Sequence, residues 1–435
     1  MKIVTQMMKS YKTRLSDSSF PILVLSYSLL MMHYVFSRAF RDSLLGSRIS
    51  ISELPNLTVL GTFLAITMSL VCSLFLRSEA RIHVVRAFYI LNAIAEATIA
   101  FNFQNHPWML RAYYIEVSAS TAIGLSLIWV LIGDWTSRCN HGDTNKVPSV
   151  LISGTAAGMF AGFGLVHLPS ASNFQASLLM LAVMDISVSV LLLFHRDGSC
   201  RFDAKHKTDE QNAIRKHWSS VVVRMLVIVT IVGASASTLL DLIFRVRVAE
   251  YYSSQAQRIH FMGSMQGLLC LGALLSQLVV RRLAAGKWVR RCLTIYPGIL
   301  TVAALGSLLA PVFSVFECLR IGEYALRNSA SRCGTEMVYA ALPDRLRVEV
   351  RPLIDVVGER VGDMSAAGLL HLLLTANAGL NFRSTLLVVA GLGACLWFCS
   401  SWLLARVDHM RTIEEVEGEK RLPLQKLARE GAVLA

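Results

Sequence analysis

In the stretch FECLRIGEYALRNSASRCGTEMVY, Arg320, Glu323 and Arg327 recur at i, i+3 and i+7, and Arg332 with Glu336 at i, i+4. These spacings put each set on one side of a helix. Either the alternating signs neutralise one another, or the arginines, which outnumber the acid in the stripe, hold an anion. Arginine suits phosphate because its planar fork makes two parallel charge-assisted hydrogen bonds. Arg38 and Arg41, followed by Asp42, end an apolar run in MHYVFSRAFRD, and Arg245 with Arg247 end another in LLDLIFRVRVAE. Each pair either snorkels to lipid headgroups or presents two cations to a shared cavity. Glu96, Glu116 and Asp185 are lone acids among apolar residues. Each is a candidate to pair with Arg41 or Arg111 or to hold a proton, and Glu116 is favoured because Ser118, Ser120 and Thr121 follow it.

Other chemistries find no support. No His, Cys and acid set has metal-ligand spacing, and the nine cysteines form no C-x-x-C. Their places in apolar runs suit packing better than disulfides. The glycines of SGTAAGMFAGFG lie inside an apolar run with no Lys-Ser/Thr after them, so they read as a helix-packing surface and not a phosphate loop. With no nucleophile elbow or catalytic triad, neither an enzyme nor a bound metal or cofactor is expected.

The elements that carry these residues follow from composition. The chain of 435 residues is 54% hydrophobic and 16% charged, with net charge +13 and mean hydropathy +0.52. A soluble domain carries about 25% charged residues. Twelve apolar runs are long enough to cross a bilayer, near 19–37, 54–76, 84–103, 108–135, 147–168, 174–194, 219–244, 261–280, 288–313, 314–341, 353–378 and 384–405; the fourth, tenth and eleventh carry several charges. Residues 195–217 are the one long hydrophilic interruption, 406–435 form a charged tail, and 1–18 read as a cytoplasmic flank and not a removed signal. With both termini inside, 29 of the 42 basic residues fall on the cytoplasmic face and 8 on the other, the strong form of the positive-inside rule. The basic excess thus points to lipid headgroups and orientation, not to nucleic acid.

The halves resemble each other in order: paired arginines end the first and seventh runs. Gly154-x-x-x-Gly158-x-x-x-Gly162 of the fifth run matches Gly358-x-x-x-Gly362 of the eleventh. The expected fold is an all-α integral membrane protein of twelve transmembrane helices in two pseudo-repeated six-helix bundles. The bundles are 1–194 and 218–405, joined by a cytoplasmic linker at 195–217 and followed by a cytoplasmic tail at 406–435. This is the layout of major-facilitator transporters, in which substrate sits between the halves.

Thr335-Glu336-Met337-Val338-Tyr339, then Ile354-Asp355-Val356-Val357-Gly358-Glu359-Arg360-Val361-Gly362, form the sharpest stretch of a wider pattern. It resembles the T-K-E-M-A-Y and I-D-V-V-G-x-R-x-G signature of the nucleotide transporter (ATP/ADP translocase) family. Arg41 to Leu45 (RDSLL) is similar to that family's K-D-T-L-V, and the block from Glu116 through Ser126 and Trp129 to its E-L-W and S-x-x-F-W. The resemblance covers about residues 20–405 and implies substrate-contacting roles for Arg41, Glu116, Glu336, Asp355 and Arg360. Two departures bear on substrate. Thr335 directly precedes Glu336, so the Lys of T-K-E-M is missing, and Asp363 stands where exchangers carry a Lys. Both weaken the fit to a highly charged ATP.

The candidate substrate-binding set is therefore Arg38, Arg41, Glu116, Arg245, Arg320, Glu323, Arg327, Glu336, Asp355 and Arg360. The expected function is secondary transport of a small anionic metabolite such as a nucleotide, by alternating access, across a bacterial plasma (inner) membrane. Two alternatives are a proton- or ion-coupled carrier of another metabolite and a non-transporting sensor or scaffold derived from a transporter.

Overall fold

Apolar runs of about 20 residues close into helices because hydrocarbon leaves backbone amides no partner but one another. The computed structural model describes residues 2–75, 81–138, 147–165, 173–195, 221–283, 292–309, 313–332, 334–335, 338, 353–376 and 384–405. The helices are α1 (Lys2–Ser43), α2 (Leu54–Phe75), α3 (Arg81–Asn102), α4 (Trp108–Arg138), α5 (Val147–Leu165) and α6 (Phe174–Leu191) in the first half. The second half holds α7 (Val221–Tyr251), α8 (Gln255–Leu283), α9 (Cys292–Ser307), α10 (Phe313–Leu326), α11 (Glu359–Ala376) and α12 (Ser384–Ala405). Eight of them are long and apolar enough to cross a membrane by length and composition. The tenth expected span, 314–341, is α-helical only to Leu326 and continues as a π-helix over Arg327–Ser331. A second π-helix, Leu353–Gly358, leads into α11 and falls in the I-D-V-V-G stretch.

Within these helices hydroxyl groups satisfy themselves. Thr58, Ser118, Thr121, Thr230 and Ser307 each donate to the carbonyl four residues back, which hides a polar group inside an apolar run. The surface is inverted relative to a soluble protein. Phe63, Phe160, Phe194 and Phe398 are exposed, while Arg38, Glu96, Asp185, Arg320 and Glu323 are buried. Outward apolar and inward polar side chains are what a lipid solvent requires.

Packing repeats between the halves. α1 packs on α4 and α5 as α7 packs on α10 and α11, and α2 on α4 as α8 on α10. Across the halves, α5 lies on α8 and α2 on α11, the exchange expected of a two-fold relation between helix n and helix n+6. The small residues singled out in the sequence sit at these seams. Gly358 and Gly362 of the eleventh run face Thr230 and Ala234 of α7. A Cβ on Gly162 would lie 2.7 Å from Gly267 Cα and 2.8 Å from the Gly263 carbonyl oxygen of α8. Only a residue without a side chain permits that approach. The chain is thus an all-α membrane fold of two pseudo-repeated six-helix bundles.

Candidate functional site: a charge network between the halves

α1 and α7 end on the same side of the bundle, and there their charged residues meet. Arg38 and Arg41 are three apart and share a face of α1. Arg38 donates to Asp241 Oδ2 of α7 at 2.9 Å and also to the Tyr34 hydroxyl. Arg41 donates through Nε to Asp42 Oδ1 at 2.8 Å and through Nη1 to Ser118 Oγ of α4 at 3.2 Å, its guanidinium 5.1 Å from the Tyr114 ring centroid. Arg245 of α7 donates to Asp241 one turn back and, at 2.9 Å, to the Tyr114 hydroxyl. Its Nε lies 3.4 Å from Asp42 Oδ1. Arg320 of α10 reaches Asp241 Oδ1 at 2.6 Å and also pairs with Glu323. Glu323 lies 3.5 Å from Arg327 Nε and accepts from the Tyr296 hydroxyl at 3.2 Å.

Five guanidinium groups, those of Arg38, Arg41, Arg245, Arg320 and Arg327, thus face three carboxylates, Asp42, Asp241 and Glu323. The network ties α1 and α4 of one half to α7 and α10 of the other. Its excess of positive charge, largely out of water, makes it an anion-attracting centre. The same end is closed elsewhere. Gly162 meets α8, and the loop after α1 packs on the end of α7 through Gly46, whose φ of +76° suits glycine. There Arg258 donates to the carbonyls of Ala249 and Ser253, each at 3.4 Å.

The sequence-based stripe of Arg320, Glu323 and Arg327 forms as expected, with Glu323 between two arginines. Asp241, which holds Arg38, Arg245 and Arg320 together, was not among the candidates. Its signal was an acid inside LLDLIFRVRVAE, one turn before Arg245. The expected second arginine pair does not form. Arg247 pairs with Glu250 at 2.9 Å on the exposed side, because residues two apart on a helix point about 200° from each other.

Glu116 does not join Arg41, which is held by Asp42 and Ser118; its carboxyl group lies beside Ser120, one turn on along its own helix. Arg111 pairs instead with Glu53, at 2.5 Å and 3.1 Å. Glu96 and Asp185 converge on a residue the sequence reading passed over. His33 Nε2 lies 2.9 Å from Glu96 Oε1 and 3.7 Å from Asp185 Oδ1. Arg360 is compensated within its own helix by Asp363 at 2.7 Å, and Asp363 also accepts from Thr238. Glu336 lies outside the described residues, and Asp355 is described only in its backbone, within the second π-helix.

No family model matches the sequence, and no curated protein sequence matches it. Solved structures do match in shape. The nucleoside transporter NupG superposes with a TM-score of 0.63 at 11% identity, over 88% of this chain and 98% of that one. A point mutant of NupG gives 0.65 at 11% identity, over 89% and 99%. A bacterial homologue of the human lysosomal transporter Spinster, in an inward-facing and unoccupied conformation, gives 0.61 at 14% identity, over 90% and 98%. At these identities the likeness shows the fold and does not single out ATP/ADP translocases. Nearly the whole chain therefore shares the fold of major-facilitator-type transporters.

Proposed function

We propose that this chain is a secondary carrier that moves a small anionic solute by alternating access, with nucleotides of low charge the favoured class. The observation that carries this reading is the set of four buried guanidinium groups, those of Arg38, Arg41, Arg245 and Arg320, facing three carboxylates where α1, α4, α7 and α10 meet. Guanidiniums in a low-dielectric site are suited to phosphate or carboxylate. The likeness to a nucleoside transporter agrees with a nucleoside-bearing solute. The pairing of Arg360 with Asp363 removes a free cation and argues against a highly charged triphosphate.

The halves, 1–194 and 218–405, rock about the seams of α5 with α8 and α2 with α11 while the linker 195–217 joins them. With both termini in the cytoplasm of a bacterium, the sealed end faces outward. The Arg38–Asp241 and Asp42–Arg245 pairs then act as an external gate that parts when the carrier turns outward. An arriving anion competes with Asp241 and Asp42 for the arginines and so favours opening, since a ligand shifts a conformational equilibrium by its differential affinity.

The test is uptake of labelled AMP, ADP, ATP or uridine into proteoliposomes preloaded with the same unlabelled compound. Exchange of a nucleotide that Arg41→Ala reduces tenfold or more supports the reading. Exchange of uridine alone, or no exchange of any anion tried, defeats it.

A further inference from the structure

Inside the first six-helix bundle lies a second polar cluster that the arginine network does not use. His33 of α1, Glu96 of α3 and Asp185 of α6 are each 2% exposed or less. The ring nitrogen and carboxylate oxygens involved all lie within 4.8 Å of one another. Asn92 Nδ2 donates to Asp185 Oδ2 at 2.5 Å. Several hydrogen-bonding positions stay open. Glu96 Oε2, Asp185 Oδ1 and His33 Nδ1 are buried without a hydrogen-bond partner among the described residues, and Glu116, beside Ser120 of its own helix, shares their field. Well-ordered polar atoms at such depth normally have partners, so the cluster has room for further protons.

The charge balance makes the same point. Three carboxylates, Glu96, Asp185 and Glu116, act on one imidazole. The other titratable groups in their field are Tyr89 of α3 and Tyr113 of α4. α8 brings Cys270 near Tyr27 of α1, and α5 has no titratable side chain. The nearest cations along α1, Arg38 and Arg41, are already held by Asp241 and Asp42. A protonated ring balances one carboxylate. The other two are neutral only when protonated, and an ionised carboxylate without a partner is costly at bilayer depth. A dry cluster thus favours holding protons, and water reaching it favours their release.

We propose that His33, Glu96 and Asp185, with Glu116 beside them, form a proton-binding site that powers the carrier. The inference that it drives transport rests on the carrier reading above; the proton site itself does not. A proton from water on one side settles on a carboxylate of the cluster and leaves from it to water on the other side. His33 stands five residues before Arg38 on α1, about 7.5 Å along the helix. Protonation is thereby linked to the helix that carries the Arg38–Asp241 gate.

Infrared difference spectra of the full chain in lipid, between about pH 5 and about pH 8 where imidazole-linked groups titrate, read the bound proton directly. The expected result is a carbonyl stretch from protonated carboxyl groups that changes with pH. It should be diminished in both Glu96→Gln and Asp185→Asn and retained in Glu53→Gln, a surface control. A band that neither cluster variant alters overturns the site, as does one equivalent of zinc or manganese per chain that His33→Gln abolishes. Circular dichroism and thermal melting of each variant establish that it is folded, and either carboxamide variant suffices alone.

Proteoliposomes read the coupling. An imposed pH gradient should raise nucleotide accumulation at least tenfold in the native chain. Asp185→Asn should keep like-for-like exchange and lose that response. Exchange indifferent to the gradient in the native chain overturns coupling and leaves the carrier reading standing. A complete absence of exchange defeats the carrier reading and with it the coupling, while the infrared result still decides the site.

Discussion

Arg38 and Asp241, 203 residues apart in the chain, meet at 2.9 Å between α1 and α7 and join the two halves of the bundle. Asp241 accepts from Arg245 and Arg320 as well, so one carboxylate bridges three guanidiniums contributed by three helices. Such a hub is sensitive to change, because removing one partner of a buried ion pair leaves the others uncompensated.

Asp241→Asn is accordingly expected to destabilise the protein by about 3–5 kcal/mol, the usual cost of stranding a buried charge. Thermal unfolding in detergent measures it. Asp241→Glu, which keeps the charge, should cost clearly less, and equal losses for the two variants would contradict the hub.

Arg245 and Arg247 separate the network from the surface. Arg245→Ala removes contacts to Asp241, Asp42 and Tyr114 and should cost about 3 kcal/mol or more. Arg247→Ala breaks an exposed pair with Glu250 and should cost clearly less than Arg245→Ala, on the scale of surface pairs, about 1 kcal/mol or below. The same melting experiment compares them.

Gly162→Leu should unseat α5 from α8 where the two backbones touch. Overpacking of this kind costs about 1–3 kcal/mol and here falls on the closed arrangement. The expected outcome is about a tenfold or larger rise in labelling of a cysteine placed at Ser118 by an impermeant maleimide. The reference is the same Ser118→Cys chain with Gly162 intact; unchanged labelling would show that this seam does not close the end.

Asp363→Asn removes the closer of two acidic neighbours of Arg360, leaving Glu359 at 3.8 Å. If the π-helix and the start of α11 border the substrate path, ADP and ATP should then raise the melting temperature more than they do in the native chain. About a tenfold gain in affinity, near 1.4 kcal/mol, is the scale of one added cation. An unchanged or smaller shift removes Arg360 from the site.

Much of the architecture was legible in the sequence because it depends on local composition. The runs at 54–76 and 384–405 match α2 (54–75) and α12 (384–405) almost residue for residue, since an apolar run's length fixes how far a helix stays in hydrocarbon. The glycines at 154, 158 and 162 announced a packing seam for the same local reason. The tenth span was harder to read: its helix changes to π geometry at Arg327, where charge density and not hydropathy marks the change.

What the sequence determined by itself is the set of spans, their repeat and the stripes of charge that share a helix face, because these follow from helix period and hydrophobicity. Arg38 with Arg41 and Arg320 with Glu323 belong to that set. The partners were decided only by tertiary structure: Arg38 with Asp241, and His33 with Glu96 and Asp185, brought from three helices. Spacing along the chain carries no record of which helix faces which. That choice is made by how small residues such as Gly162 and Gly267 let neighbouring helices approach. Buried charges, having no water to turn to, then pair with whatever that approach brings near.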